Sequence, residues 1–420
     1  MRWRGEARNP ARRTGACASY NRGVAKRASF EWQHERAFDA CADEAAFAEV
    51  PTKPGVFALF AADTNAEPYV ARCANLNRRV RRMLSADGGA GRRLNLRERT
   101  SLIAWAETGS EFEALLTLHH ASVAYFGADQ ARRRLRLHVP FCVRMTMENA
   151  YPRAYVTNRV GKRRLETAFG PYASRAAAER ALTAALDLFL LRRCTDELHP
   201  YPQHPGCVYS EMKMCLAPCF KGCSDERYVE EAQAVLEFLQ TRGAALIGKL
   251  EAERNAASEA CAFERAAAIH TRLEKVKDAA RLQEEIVRPL AKQDALIVQQ
   301  AAGGGSMVFA VKSGRLTHGF RVEFDGENTA EERLRTVIST GMDAAARESG
   351  DLGDHLALLK RWYYRPAKQR KGEILFPNAD GSWPVRRVLN AVSRVTAQTT
   401  TTPESPAKMQ TESTGGDGLD

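Results

Sequence analysis

The stretch RRCTDELHPYPQHPGCVYSEMKMCLAPC, residues 192–219, holds Cys194, Cys207, Cys215 and Cys219 in the spacing C-x12-C-x7-C-x3-C. Pro200, Pro202, Pro205 and Gly206 stand between the first pair. Proline lacks a backbone donor and glycine is conformationally loose, so neither a helix nor a central strand is predicted there. The loop is free to curl round a small object. Four convergent thiolates suit either structural zinc or an iron–sulfur cluster. Zinc sites usually bring two close cysteine pairs, and only Cys215-x3-Cys219 resembles one. The long gaps fit a cluster at least as well, so the spacing leaves both open.

After the loop, Ser224 can cap a long helix from Asp225, whose first-turn acids complement the helix dipole. Tyr228, Ala232, Val235, Leu239, Leu246 and Leu250 keep helical spacing. The pattern pauses near Asn255–Ser258 and resumes from Phe263 to about Ile286, with Ala267, Ile269, Leu273 and Val276. This predicts an antiparallel hairpin with an exposed apolar seam.

Before the loop, GVFALF (55–60), the polar turn AADTNAE and PYVARC (68–73) read as a β-hairpin. ANLNRRVRRML (74–84) is helical by period, with Leu76, Val80 and Leu84 on one face and arginines on the other. SLIAWAET (101–108) reads as a third strand, and EFEALLTLHHASVAYF (111–126) as a helix capped by Ser110. VRMTME and RAYVTN form a second strand pair, FGPYAS a turn, and RAAAERALTAALDLFLL (175–191) the helix that enters Cys194. DALIVQQ, MVFAVKSGRL and THGFRVEF read as a short β-meander, and residues 330–365 as helical.

The expected class is mixed α/β (α+β) and multidomain. The divisions are a flexible basic arm (1–37), an α/β unit (38–142), a cysteine-rich unit (143–223), the hairpin (224–288), the meander with its helical segment (289–395) and a disordered Thr/Ser/Pro/Gly-rich tail (396–420).

The chain carries 62 Lys and Arg against 51 Asp and Glu, a net charge of +11. Residues 72–99 hold nine arginines against two acids, and residues 132–164 ten Lys/Arg against one. Arginine forks match phosphate, and neutralised phosphates release counterions, so Arg78, Arg79, Arg81, Arg82, Arg132, Arg133 and Arg134 are candidate DNA contacts. Cys17, Cys41, Cys73, Cys142 and Cys261 are scattered and read as ordinary thiols, and Cys223 as a loop thiol. With no apolar signal segment and no membrane-length apolar run, the expected location is cytoplasmic, with no membrane partner.

The order of these parts resembles the excinuclease C (UvrC) family of bacterial nucleotide excision repair, from about Phe38 to residue 330. PGVFALF…EPYVARCANLNRRVRRML resembles the family's GIY-YIG nuclease signature, and RRC…CVYSEMKMCLAPC its cysteine loop. ASEACAFERAAAIHTRLEKVKDA is similar to its UVR motif. The resemblance implies a [4Fe–4S] cluster on Cys194, Cys207, Cys215 and Cys219, with structural zinc as the alternative. It implies docking of a UvrB-like helicase through Phe263, Glu264, Arg265, Ala267 and Ile269, and DNA as substrate. The family's ribonuclease H-like and helix-hairpin-helix parts have no counterpart in the residues after the meander.

GIY-YIG cleavage needs a base, a carboxylate-held divalent metal and cations on the phosphate. By resemblance Tyr69 is the base, Arg79 the transition-state arginine, and Arg72 replaces a lysine. The departures concern the rest of the site. Phe57 lacks the first tyrosine's hydroxyl, Ala71 replaces a glycine, Met83 a tyrosine and Cys142 an asparagine. The metal-binding glutamate position falls on Leu118, which cannot bind the Mg²⁺ or Mn²⁺ that an active site would use. Adjacent helical positions point about 100° apart, so at most one of His119 and His120 is expected to reach that metal position, and imidazole favours zinc or nickel over magnesium. Glu113 lies on a different helical face from Leu118.

The expectation is a UvrC-like repair protein with a degenerate nuclease. An active structure-specific endonuclease, or an iron–sulfur redox sensor on DNA, is the alternative.

Overall fold

The computed structural model describes residues 30–40, 47–63, 65–85, 96–159, 161, 164–195, 197–322 and 329–400. Most of the basic arm, Cys17, Cys41, and the tail from 401 onward lie outside these residues.

The first sheet runs β1 (His34–Ala37), β4 (Thr100–Glu107), β2 (Gly55–Ala61), β3 (Tyr69–Cys73) in spatial order, with every pairing antiparallel. β1 corrects the sequence expectation, which assigned residues up to 37 to a flexible arm. His34 opposes Trp105 and their rings stack 5.4 Å apart, so an otherwise polar segment is held at the sheet edge. α1 (Leu76–Leu84) follows β3, capped by Asn75, whose side chain accepts from Arg78 N at 2.8 Å. After α2 (Leu96–Arg99) and β4 come α3 (Glu111–Phe126), capped by Ser110 as expected, and α4 (Ala128–Leu135).

Strand alternation divides the sheet. Phe57, Leu59, Tyr69 and Ala71 face α1, where Leu76, Val80 and Leu84 are fully buried. Val56 packs with Ala114 and Leu118 of α3 on the other side, and Ala58, Phe60 and Val70 share that face. α3 is enclosed on its far side too, because Phe112, Leu115 and Leu116 enter the main core. There Phe112 meets the rings of Phe309 (5.1 Å) and Trp362 (5.4 Å). A helix buried on both flanks needs no polar stripe, which explains its apolar run.

The second sheet has the order β6 (Ala154–Thr157), β5 (Phe141–Met145), β7 (Ala168–Tyr172), β8 (Arg288–Pro289). FGPY was expected to turn; it is strand β7. The pairing shifts register between Phe141 and Val143, so Gly170 and Pro171 fall in the irregularity, where a missing proline N–H is tolerated. A side chain at Gly170 would strike Cys142 Sγ.

α5 (Arg175–Leu186) leads into the cysteine loop, which contains α6 (Val208–Glu211). The long helix expected from Asp225 is broken: α7 (Asp225–Thr241) ends where Arg242 and Gly243 take φ of 52° and 83°. Glycine at the second of these left-handed positions stops the helix. α8 (Ala244–Glu259) and α9 (Phe263–Arg281) then form the hairpin, and Asn255–Ser258, where the pattern pauses, is still helix. α7 is buried in the core through Tyr228, Ala232, Val235, Phe238 and Leu239.

The third sheet contains β9 (Ala295–Gln300), β10 (Ser306–Lys312), β11 (Arg315–Leu316) and β12 (Phe320–Val322), matching the expected meander. α10 (Ala330–Arg347) and α11 (Leu352–Tyr363) follow, then α12 (Ala367–Arg370). β13 (Glu373–Leu375) returns to pair with β9. α13 (Val385–Thr400) overruns the tail boundary expected at 396, because Val388, Val392 and Val395 pack on Leu296, Val298 and Val308. The architecture is α+β with antiparallel sheets, as expected. Among the described residues, no helix is long and apolar enough to cross a membrane.

Candidate functional site

The residues that resemble a nuclease site do not gather on one face. Tyr69 is half-buried on the α1 side, its ring 6.0 Å from that of Phe57. Arg79 lies on α1, close enough to Cys73 for its charge to act on that thiol, although burial raises the thiol overall. Arg72 is directed to the opposite side and donates to Glu111 Oε1 at 2.8 Å. Leu118 also lies there, 8% exposed, against Val56 and Ala114 with Val70 and Leu135 beside them. Its surroundings are apolar, which suits leucine and would penalise a carboxylate. Glu113 is buried and held: Oε2 accepts from Gly109 N at 2.7 Å, and burial raises its pKa. Met83 packs half-buried on the α1 side, and Cys142 is fully buried.

The candidate DNA arginines separate into two groups. Arg78, Arg82 and Arg133 are exposed and Arg79 half-exposed. Arg81 is turned inward, with Nε donating to Asn77 Oδ1 (3.0 Å) and its guanidinium 5.2 Å from the Phe47 ring. Arg132 holds Asp354 through Nε at 2.6 Å and reaches Asp351 at 3.3 Å, so it is a tertiary ion pair and not a free surface cation. Arg134 pairs with Glu67 (2.7 Å) and lies 3.6 Å over the Phe126 ring.

Beside Arg72 lies a cavity of about 600 Å³ that the sequence did not reveal. Arg365, Arg370, Lys371 and the Gly109–Ser110 start of α3 line it. Thr108 Oγ1 and Gln299 Nε2, also in the lining, are buried without hydrogen-bond partners among the described residues. Arg365 and Arg72 hold the Glu111 carboxyl down at about 2, the Arg365 hydrogen bond contributing most. Several cations around one carboxylate make a site able to accept a further anionic group.

The cysteine loop is pinned to α7. Leu190 N donates to Glu231 Oε1 (2.6 Å), and Arg192 N to the Tyr228 hydroxyl (3.2 Å). Lys213, Ala217 and Lys221, around Cys215 and Cys219, adopt φ of 56°, 58° and 58°. Non-glycine residues avoid this left-handed region, and its use here three times marks a functionally constrained loop. Cys194, Cys207, Cys215 and Cys219 are all free thiols. Burial pushes Cys215 up to about 11, and Cys194, Cys207 and Cys219 raise it further by charge repulsion. The four are therefore within electrostatic reach of one another, and a cation among them would relieve the repulsion. Ala217 N donates to Cys215 Sγ (3.3 Å), and the buried Arg192 reaches Cys194 Sγ through Nη1 (3.7 Å). This donor set fits a four-thiolate centre. Cys223 is influenced by Asp225 and Arg227 rather than by the four.

On the hairpin, Phe263 is 67% exposed, and Glu264, Arg265 and Ala267 are exposed, while Ile269 packs half-buried against the core.

One grouping lies outside the sequence expectation. His119 and His120 both turn toward α11, with their rings 5.8 and 6.3 Å from that of His355. An angular separation of about 100° still lets two long side chains straddle one helical seam and converge on a residue across it. Burial holds His120 well below the usual histidine range and His355 down at about 4. The adjacent histidine pair was visible in the sequence; its partner from a distant helix was not.

Residues 141–238, which include all four cysteines of the loop, match the family model described as UvrC/Cho excinuclease, middle domain. The chain is 28% identical over 324 residues to UvrABC system protein C of Desulforudis audaxviator (strain MP104C), covering 74% of this chain and 51% of that protein. It is 28% identical over 297 residues to the protein of that name from Anaeromyxobacter sp. (strain Fw109-5), covering 69% and 41%. With that of Chlamydia muridarum (strain MoPn / Nigg) it shares 31% over 235 residues, covering 54% and 38%. The chain spans about half the length of these curated relatives or less. No solved structure gives a significant match.

Proposed function

We propose that this chain is a UvrC-like component of nucleotide excision repair that binds DNA and docks a UvrB-type helicase, and that its GIY-YIG-like domain holds DNA without cutting it. Similarity to UvrABC system protein C over about seven-tenths of the chain supports the repair assignment. The observation that carries the non-cutting reading is Leu118, packed on Val56 across the sheet from Tyr69. Leucine offers no oxygen to a divalent metal, and without that metal the attacking water and leaving oxygen lose their shared charge stabilisation.

Arg78, Arg79, Arg82 and Arg133 would take DNA phosphates, together with the arginine-lined cavity beside Arg72. Cys194, Cys207, Cys215 and Cys219 would hold a [4Fe–4S] cluster, which when bound supplies a rigid cross-link of the loop. Arg192 would place a positive charge next to the thiolates. Phe263, Glu264, Arg265 and Ala267 are available to a helicase partner, with Ile269 at the rim.

The test is plasmid nicking with Mg²⁺ or Mn²⁺, run beside metal and sulfide analysis of anaerobically purified protein. DNA binding without nicking, with iron and acid-labile sulfide present, is expected. Nicking that Tyr69→Phe abolishes would overturn the non-cutting reading, and colourless protein with sulfur-ligated zinc would overturn the cluster.

A further inference from the structure

The histidines are chemistry that the proposed function leaves unused. His119 and His120 on α3 and His355 on α11 bring three imidazole nitrogens within 4.8 Å of one another. His119 is 2% exposed and His355 1%. Among the described residues, neither nitrogen of His119 or His120 has a hydrogen-bond partner, nor has Nε2 of His355. Buried ring nitrogens without partners are costly, and every neutral imidazole offers a lone pair. That combination points to a ligand.

The surroundings suit a cation. Asp354 Oδ2 lies 3.7 Å from His119 Nε2, too long for a hydrogen bond, while Arg132 holds Oδ1 of the same carboxylate at 2.6 Å. Asp354 therefore supplies a buried negative charge beside the imidazoles. The His318 ring is centred 4.2 Å from that of His120, and His318 lines a cavity of about 500 Å³ with Glu31, Glu107 and Glu113.

We propose that His119, His120 and His355 bind a borderline divalent cation, zinc foremost, which ties α3 to α11. Three imidazoles select zinc, copper, nickel or cobalt over magnesium and calcium, which demand oxygen. Leu316 N donates to His355 Nδ1 at 2.8 Å. Ligation by the neutral ring therefore displaces this bond: either Nδ1 gives its lone pair to the ion, or Nε2 does so after its proton has moved to Nδ1. The ion would add a direct bond between two elements otherwise joined by side-chain packing, the His119–Asp354 contact and, at their ends, the Glu111–Arg365 pair. This inference does not depend on the repair assignment.

The experiment uses tag-free full chain, stripped with a chelator and reloaded with Zn²⁺, then with Co²⁺ in parallel. X-ray absorption counts nitrogen and sulfur ligands, and cobalt optical spectra separate imidazole from thiolate ligation. One nitrogen-ligated equivalent is expected in addition to any sulfur-ligated metal. His120→Asn and His355→Gln should each weaken that equivalent by at least ~100-fold and leave sulfur-ligated metal in place. No nitrogen-ligated ion in the wild-type protein would overturn the proposal, as would unchanged affinity in both variants. Should a variant fail to fold, the wild-type spectra decide alone.

Discussion

Arg365 grips Glu111 with both guanidinium nitrogens, Nη2 donating to Oε1 at 2.8 Å, across 254 residues of sequence. The same carboxylate accepts from Arg72, so one residue at the start of α3 joins the first sheet to the end of α11. A carboxyl held at about 2 contributes stability that is present above its unfolded value of 4.5 and lost as pH falls through about 2. The side chain is 48% exposed, so screening makes the effect smaller than the shift alone suggests. Thermal midpoints of wild type and Glu111→Gln should converge as the pH drops from 4.5 toward 2. A gap independent of pH would show that the charge on Glu111 contributes nothing.

Restoring the family's carboxylate should not restore cutting. In Leu118→Glu the new group enters the contact with Val56 and Ala114, with Tyr69 on the other face. An uncompensated buried carboxylate should cost about 3 kcal/mol or more. Denaturant midpoints and plasmid nicking read the two effects; gained cleavage with unchanged stability would contradict the placement.

Two arginine substitutions should have opposite consequences. Arg78→Ala with Arg82→Ala removes two exposed cations, so the salt slope of DNA binding should fall by about 2 with stability unchanged. Arg132→Ala leaves Asp354, 1% exposed, without its guanidinium and should cost about 2 kcal/mol or more of stability. Its effect on DNA affinity should be small. Filter binding across a salt series and thermal unfolding separate these expectations, and the reverse pattern would refute the assignment.

The hairpin makes a similar distinction. Phe263 is 67% exposed, so Phe263→Ala should leave unfolding unchanged while weakening capture of a UvrB-type helicase by at least ~10-fold. Calorimetric titration measures the affinity; an unaffected affinity would place the docking surface elsewhere.

Parts of this molecule were legible before any coordinates. The alternation in GVFALF and PYVARC fixes β2 and β3, and the period in LNRRVRRML places Leu76, Val80 and Leu84 inward, because both signals are local. β1 was missed because HERA is polar and gains its place only by pairing with β4. β7 was missed because Gly170 and Pro171 read as a turn until the irregular pairing with β5 accommodates them. The break at Gly243 was legible in principle, since glycine is a common helix stop, but the flanking apolar period masked it.

The sequence alone determined the spacing of Cys194, Cys207, Cys215 and Cys219 and the positive charge, since these are matters of composition and order. Only the tertiary structure decided that Arg132 is occupied by Asp354 while Arg78 is exposed. It also decided that Tyr69 and Leu118 lie on opposite faces and that His119, His120 and His355 meet. Each of these depends on which distant segments pack together and exclude water, and packing between segments far apart in the chain leaves no periodic trace in either one.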